Sequence, residues 1–338
     1  MKKLNIIIPV APSEPISVMK KSLESLLNLK QDNLIVHITY AMDIINSNDS
    51  RINSFLDIIK KHSLNQKVSI IIRNYARGRR AGATNDAIDK IKTDGLPDFF
   101  AFFDVDSRPD SNFLIECTTL LKKNNVKIAS GYRYITNSNE STTSLIVSLE
   151  YAILKNAQQF LERINGFKQF NGLIGVMDAK LFKDLKFDEL AACEDVMMTQ
   201  EVYLLGYSAA FSTKTRIGEQ SPISLKEYYN QRLRWINGAY ECLTQYLFRF
   251  IKSNISMNRK ITWFFTVVSP FISIITIPLI VFCIFTVWNV KKSITFAILG
   301  ILGLMTHAVI LQVCSLHVIY KRLFNIQIEW TDTRRSNE

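Results

Sequence analysis

Cysteine is scarce in this chain and is never paired in sequence. Cys117, Cys193, Cys242, Cys283 and Cys314 are scattered over 338 residues with no CxxC pair. That spacing gives neither a zinc site nor a disulfide framework, and it fits a reducing compartment. Internal repeats and low-complexity linkers are also missing. The start of the chain lacks a signal-peptide core, because the apolar run after Lys2 and Lys3 is only Ile6 to Ile8 before Pro9. It reads as a buried strand instead, and the first domain is expected in the cytosol. Charge, finally, is absent from two long segments. Ile261–Trp288 and Ile294–Tyr320 contain no Asp, Glu, Lys or Arg, and each exceeds the roughly 20 residues that cross a bilayer core.

What is present points to a folded domain beside a membrane. Hydrophobic residues make up 48% and charged residues 21%, enough apolar material to bury a core and too little charge for wholesale disorder. The formal net charge of +11 suits phosphate-bearing partners. No nucleic-acid-binding module is recognisable, so nucleotide donors and membrane lipid are the better candidates and no nucleic-acid partner is expected.

Short β-rich runs alternate with helical patterns through residues 1–220. The clearest strands are Leu4–Val10, Leu34–Tyr40, Val68–Arg73, Phe99–Asp104 and Lys127–Arg133, with helices such as Ile16–Leu29, Ile52–His62 and Thr84–Ile91 between them. Such alternation predicts an α/β fold with a mixed, mostly parallel sheet, flanking helices and ligands at the carboxyl ends of the strands. Residues 221–260 form a different kind of segment, in which Tyr228, Tyr229, Tyr240 and Phe250 are interleaved with Lys226, Arg232, Arg234, Arg249 and Lys252. This composition predicts amphipathic helices lying in a membrane interface. Residues 261–320 then predict two transmembrane helices as a hairpin, and 321–338 a tail. Lys321, Arg322, Arg334 and Arg335 put that side in the cytoplasm, against a weak opposing pull from Lys291 and Lys292. The expectation is an integral, multi-pass membrane protein whose catalytic domain faces the cytoplasm. His307 and His317 inside the second span read as neutral groups bonded within the hairpin or near its ends.

Three motifs carry chemistry. In Phe102-Phe103-Asp104-Val105-Asp106 an apolar strand ends in two carboxylates one residue apart. Ionised carboxylates at such an edge call for a cation, and hard oxygens suit Mg²⁺ or Mn²⁺ shared with a diphosphate. Cys193-Glu194-Asp195-Val196 opens a helical run, where a carboxylate either complements the helix dipole or serves as a general base. Gln231-Arg232-Leu233-Arg234-Trp235 offers guanidinium forks for phosphate and an indole for stacking.

In this order and spacing, DxD, Glu-Asp and QRLRW followed by membrane helices resemble the family-2 glycosyltransferases of GT-A fold. The resemblance is closest to the membrane-bound branch that contains cellulose, chitin and hyaluronan synthases, and it covers about residues 4–250. It implies an inverting hexosyl transfer, by single displacement, from a UDP- or GDP-sugar to a lipid-linked or glycan acceptor. Asp195 matches the catalytic base, and Asp104 and Asp106 match the metal- and donor-binding carboxylates. Pro9 ends the first strand at the nucleotide pocket. Asp43 resembles the acidic residue at the nucleoside, although the usual Asp-Asp-Gly is absent. Arg80 and Gly82 fall in Arg80-Ala-Gly-Ala-Thr-Asn85-Asp-Ala, where arginine replaces the family's lysine near the donor. Glu194, Gln231, Arg232, Arg234 and Trp235 fall on the acceptor and diphosphate side, with Phe170–Gly175 as an acceptor-side loop. The basic stretch Tyr75–Arg80 either touches donor phosphates or forms a solvated loop. Two further readings accompany this one: a processive synthase working as a homo-oligomer or with a partner channel, and an inactive membrane scaffold.

Overall fold

Six apolar residues, with Asn5 paired to Thr39 of the neighbouring strand, make β1 (Lys2–Val10) a central strand, buried from Leu4 to Val10. The computed structural model describes residues 1–46, 48–74, 76–276 and 294–328. β1 pairs in parallel with β2 (Leu34–Asp43) on one side and β4 (Phe99–Phe102) on the other, and β2 pairs in parallel with β3 (Val68–Arg73). The crossovers are α1 (Ile16–Leu27), α2 (Ser50–Lys61) and α3 (Arg79–Thr93). This half of the sheet follows the alternation read from the sequence, and covered parallel strands are continuous apolar runs for that reason.

Beyond β4 the sheet turns antiparallel. β7 (Gly175–Asp178) pairs antiparallel with both β4 and β6 (Val126–Ile135), and β5 (Arg108–Pro109) pairs antiparallel with β8 (Ser208–Glu219). The eight strands run in the order β3-β2-β1-β4-β7-β6-β8-β5. α4 (Phe113–Leu120) lies between β5 and β6 in sequence, and α6 (Glu194–Leu204) between β7 and β8.

The chain divides into two compact units. Residues 1–132 and 168–218 form the first, and 133–167 with 219 onward form the second. The first unit's core joins Ile6, Ile8, Ile38 and Met42 from the strands and Phe103, just past β4, with Met19 and Leu23 of α1 and Phe55 of α2.

In the second unit α5 (Thr142–Arg163) starts at a capping box in which Ser141 and Ser144 satisfy each other's backbone donors. α7 (Leu225–Lys252) starts where Ser224 accepts from the Glu227 amide. Part of the aromatic face of α7 is buried: Tyr228 packs with Ile135, Val147 and Tyr151, and Phe250 stacks on Trp263 of α8 (Met257–Val268) at 4.4 Å between ring centroids. Other residues of α7, such as Leu225 and Phe248, are exposed.

The first apolar segment begins in α8 and continues as a 3₁₀ helix, Ser269–Thr276, broken at Ile272 (φ −118°, ψ 24°). Its remainder and the linker to the next helix lie outside the described residues, and so does the turn of the expected hairpin. α9 (Ile294–Leu323) contains, among the described residues, one stretch long and apolar enough to cross a membrane, Gly300–Leu323, with mean hydropathy 1.7. Among the described residues, the two histidines of α9 hydrogen-bond to tyrosines of α7. Tyr228 Oη meets His307 Nδ1, and Tyr229 Oη meets His317 Nδ1 at 2.6 Å.

Candidate active site

The site begins where β4 stops. Phe100 and Phe102 are pinned edge-on to Phe182 and Phe187, at 5.5 Å and 5.4 Å between centroids, and Phe103 is pinned to Phe113. With the aromatic rings anchored on both sides, the chain past the strand carries Asp104 and Asp106 beyond the sheet edge. The Asp104 side chain is a quarter exposed, whereas Asp106 is 8% exposed.

α3 delivers the cation. Its entry runs through Gly78 (φ +64°) and Arg79 (φ +49°), a left-handed pair in which only the glycine is at ease. A Cβ on Gly78 would strike the Glu189 side chain, and one on Gly82 would lie 1.9 Å from the Arg77 carbonyl. Gly82 therefore permits a close backbone approach, to the preceding loop of its own chain. Arg73 braces this entry by donating to Asp43 Oδ1 at 2.6 Å and to Asp86 Oδ2 at 2.7 Å. Arg77 also pairs with Asp86 and with Glu189, so this part of the basic stretch is held by acidic partners of its own unit. Tyr75 lies outside the described residues. Asn85 holds α3 to the backbone of Phe187 through both its amide groups.

Arg80 then reaches three places at once. Nε donates to Glu194 Oε1 at 2.6 Å, and Nη1 donates to both oxygens of Asp104 at 3.1 Å and to the Gly172 carbonyl at 3.0 Å. Asp195, 6% exposed in the first turn of α6, accepts from the Gly172 amide. Gly172 (φ +76°) is followed by Leu173 (φ +52°); the buried leucine is held in a left-handed conformation that costs on the order of 1 kcal/mol. That turn points one peptide's N–H at Asp195 and the same residue's C=O at Arg80. Thr199 fixes the helix start beneath it, donating to the Asp195 carbonyl at 2.8 Å and accepting from Gln169 at 2.8 Å.

The electrostatics follow from this packing. Burial raises the pKa of Asp195, neighbouring Glu194 raises it further, and Arg80 and the Gly172 amide pull it back. A carboxylate tuned upward is a better proton acceptor at neutral pH than an ordinary one. Burial works against the charge on Arg80, but Glu194, Asp104 and Asp195 outweigh it and hold the guanidinium well above its usual value. Asp43, 3% exposed at the end of β2, is pushed up to about 6 because burial outweighs its pairing with Arg73. Pro9 is buried at the end of β1, opposite Ala41.

The residues of QRLRW belong to the second unit. Arg232 is sealed at 1% exposure: its guanidinium bonds Glu150 of α5, donates to Gln231 Oε1 at 3.0 Å and lies over the rings of Tyr228 (4.6 Å) and Trp235 (4.1 Å). Arg232 was expected to face phosphate, but the structure commits it to a buried ion pair. Gln231, Arg234 and Trp235 are half-buried.

Asp104 and Asp106 supply hard carboxylate oxygens, and Arg80 contacts or faces three carboxylates, Asp104, Glu194 and Asp195. This donor set suits a hard divalent cation. Among the described residues no three His, Cys, Asp or Glu side chains gather into a metal-binding group, so such an ion needs further oxygens, as a diphosphate provides.

Sequence reasoning placed the carboxylates in the site but missed the Gly172 peptide that joins Asp195 to Arg80, and the Arg73 brace. The Asn171-Gly172 dipeptide signals a turn; its contacts depend on residues far away in the chain.

Residues 3–238 match the glycosyltransferase-like family 2, so the chain belongs to that family. It is 25% identical over 222 residues to a probable glucomannan 4-β-mannosyltransferase 4 of Oryza sativa subsp. japonica, covering 64% of this chain and 39% of the relative. To a probable glucomannan 4-β-mannosyltransferase 3 of the same organism it is 22% identical over 300 residues, covering 85% and 52%. The chain thus spans about half the length of these relatives, or less. Among solved structures, mannosyltransferase PcManGT from Pyrobaculum calidifontis, in complex with GDP-Man and Mn²⁺, superposes with a TM-score of 0.65 at 14% identity, covering 96% of this chain and 88% of that one. The fold is GT-A, with a mixed sheet and flanking helices.

Proposed function

We propose that this chain transfers a hexosyl group, with inversion, from a nucleoside-diphosphate sugar to a lipid-linked or glycan acceptor at the cytoplasmic face of a membrane. The observation that carries this reading is the convergence of Arg80, Asp104, Glu194 and Asp195 around the Gly172 peptide, at the carboxyl end of β4. Asp195 takes the proton from the acceptor hydroxyl as that oxygen attacks the anomeric carbon. The Gly172 amide keeps the carboxylate aimed while burial keeps it basic. Arg80 offers its fork to the departing diphosphate. Asp104 and Asp106 hold Mg²⁺ or Mn²⁺, which neutralises charge on that leaving group when bound. Pro9, Asp43 and Gly82 shape the nucleotide side. Gln231, Arg234 and Trp235 serve the diphosphate and acceptor, and Arg232 holds their helix through Glu150.

The relatives' mannosyltransferase names, with the GDP-Man held by PcManGT, make GDP-mannose the first donor to try. They also favour a second reading, a processive β-mannan-type synthase. Two apolar segments cannot enclose a polar path through lipid, so that version needs more membrane helices than these two, as further copies or a partner channel would supply. Membranes containing the chain, given a panel of labelled nucleotide-sugars with and without Mn²⁺, test the proposal. Label moving to lipid or glycan, with the opposite anomeric configuration by NMR, is the expected result. Failure to consume any nucleotide-sugar, with or without acceptor, overturns it and leaves an inactive scaffold.

A further inference from the structure

Arg80 grips the site unequally. Its bond to Glu194 is the shorter, 2.6 Å, and ends on a side chain 9% exposed; its bonds to Asp104 are 3.1 Å long and end on one that is 25% exposed. The guanidinium is thus anchored on its Nε side and open to exchange on its Nη1 side. Both Asp104 oxygens are taken by that one nitrogen, so a divalent ion approaching Asp104 meets a fixed positive charge in contact with the same carboxylate.

We infer that Arg80 is the resident counter-ion of the donor site and couples metal entry to nucleotide binding. This rests on the proposed role of Asp104 as a metal ligand. In the nucleotide-free protein Arg80 neutralises Asp104 and repels a second cation. An incoming diphosphate gives the Nη1 side a better partner, since a guanidinium fork matches paired phosphate oxygens. Arg80 then turns about its Glu194 anchor and releases Asp104 to the metal. The order matters chemically, because metal and donor enter together and the empty site does not collect free ions.

The test is Mn²⁺ binding to the purified full chain in detergent, by equilibrium dialysis with free Mn²⁺ counted by electron paramagnetic resonance, with and without GDP or UDP and corrected for the metal–nucleotide complex. Wild type is expected to bind Mn²⁺ weakly alone and on the order of tenfold or more tightly with nucleotide, the size a neighbouring unit charge gives at intermediate dielectric. Arg80→Ala is expected to gain on the order of tenfold in nucleotide-free Mn²⁺ affinity and to lose most of the nucleotide enhancement. Arg80→Lys keeps the charge but cannot span Asp104, Glu194 and Gly172 together, so it gains less in the same direction; it carries the test if the alanine variant does not fold. Nucleotide-free affinity unchanged or weakened in the folded variants overturns this inference alone, provided wild type binds Mn²⁺ with nucleotide. Absence of Mn²⁺ binding in every arm overturns the metal-assisted reading as well.

Discussion

Arg80 and Arg232 each pair with a glutamate from a distant helix, Glu194 and Glu150 respectively, yet the two pairs sit in different surroundings. The Arg80 side chain keeps 27% of its exposure and touches a second carboxylate and a carbonyl; Arg232 keeps 1% and is enclosed by aromatic rings. Solvent access decides what each can do. A partly exposed guanidinium can exchange one partner for an incoming anion, because water and ligand compensate the partner it leaves. A sealed one cannot, because any unpaired charge left behind stays buried. The first is suited to chemistry and the second to holding helices.

The sharpest way to break this contrast is at the base. Asp195→Asn should lower kcat by about 10²–10⁴-fold, the usual worth of a positioned general base, with donor binding retained; near-normal turnover would remove Asp195 from the mechanism. In wild type the rate should rise with pH and level off above the raised pKa of Asp195, since only its ionised form accepts a proton. Next comes the sealed pair: Arg232→Ala strands Glu150 and should cost about 3–5 kcal/mol of stability, read in a thermal melt. An unshifted melting temperature would show that the pair does not hold its unit together. A smaller effect is expected at the turn between Asp195 and Arg80. Gly172→Ala puts a Cβ on a residue at φ +76° and should cost about 1–2 kcal/mol, with turnover falling further if the Asp195 contact loosens. The smallest concerns Asp43. Its folded pKa of about 6 lies above the usual 3.8, so the folded chain holds that proton longer than the unfolded one. Stability therefore falls as pH rises from about 4 to 6 and is level above. Asp43→Asn should flatten that slope, and an unchanged slope would show that Asp43 does not titrate there.

The parallel half of the sheet was legible because covered strands are written as apolar runs. Leu4–Val10, read from sequence, differs from β1 by two residues at its start, and Val68–Arg73 coincides with β3. β7 and β8 were not. β7 is four residues long, and β8 carries Ser, Thr, Lys and Arg through its middle, so neither has a period to detect. The α7 partners of the α9 histidines were not legible for a related reason: hydropathy marks a segment as apolar and says nothing about which helix receives its polar groups.

Residue chemistry along the chain was enough to mark Asp104, Asp106 and Asp195 as carboxylates in search of a cation or a proton, because ionised groups beside apolar strands and helix starts are costly without one. Which residues answer them was decided only by the fold. Arg80, Asp104, Gly172 and Glu194 are up to 114 positions apart, and a contact at that separation exists only after the strands have paired and the turn at Gly172 has formed. The same holds for Arg232, whose sequence neighbours suggest a phosphate contact and whose partner in the fold is Glu150, 82 positions away.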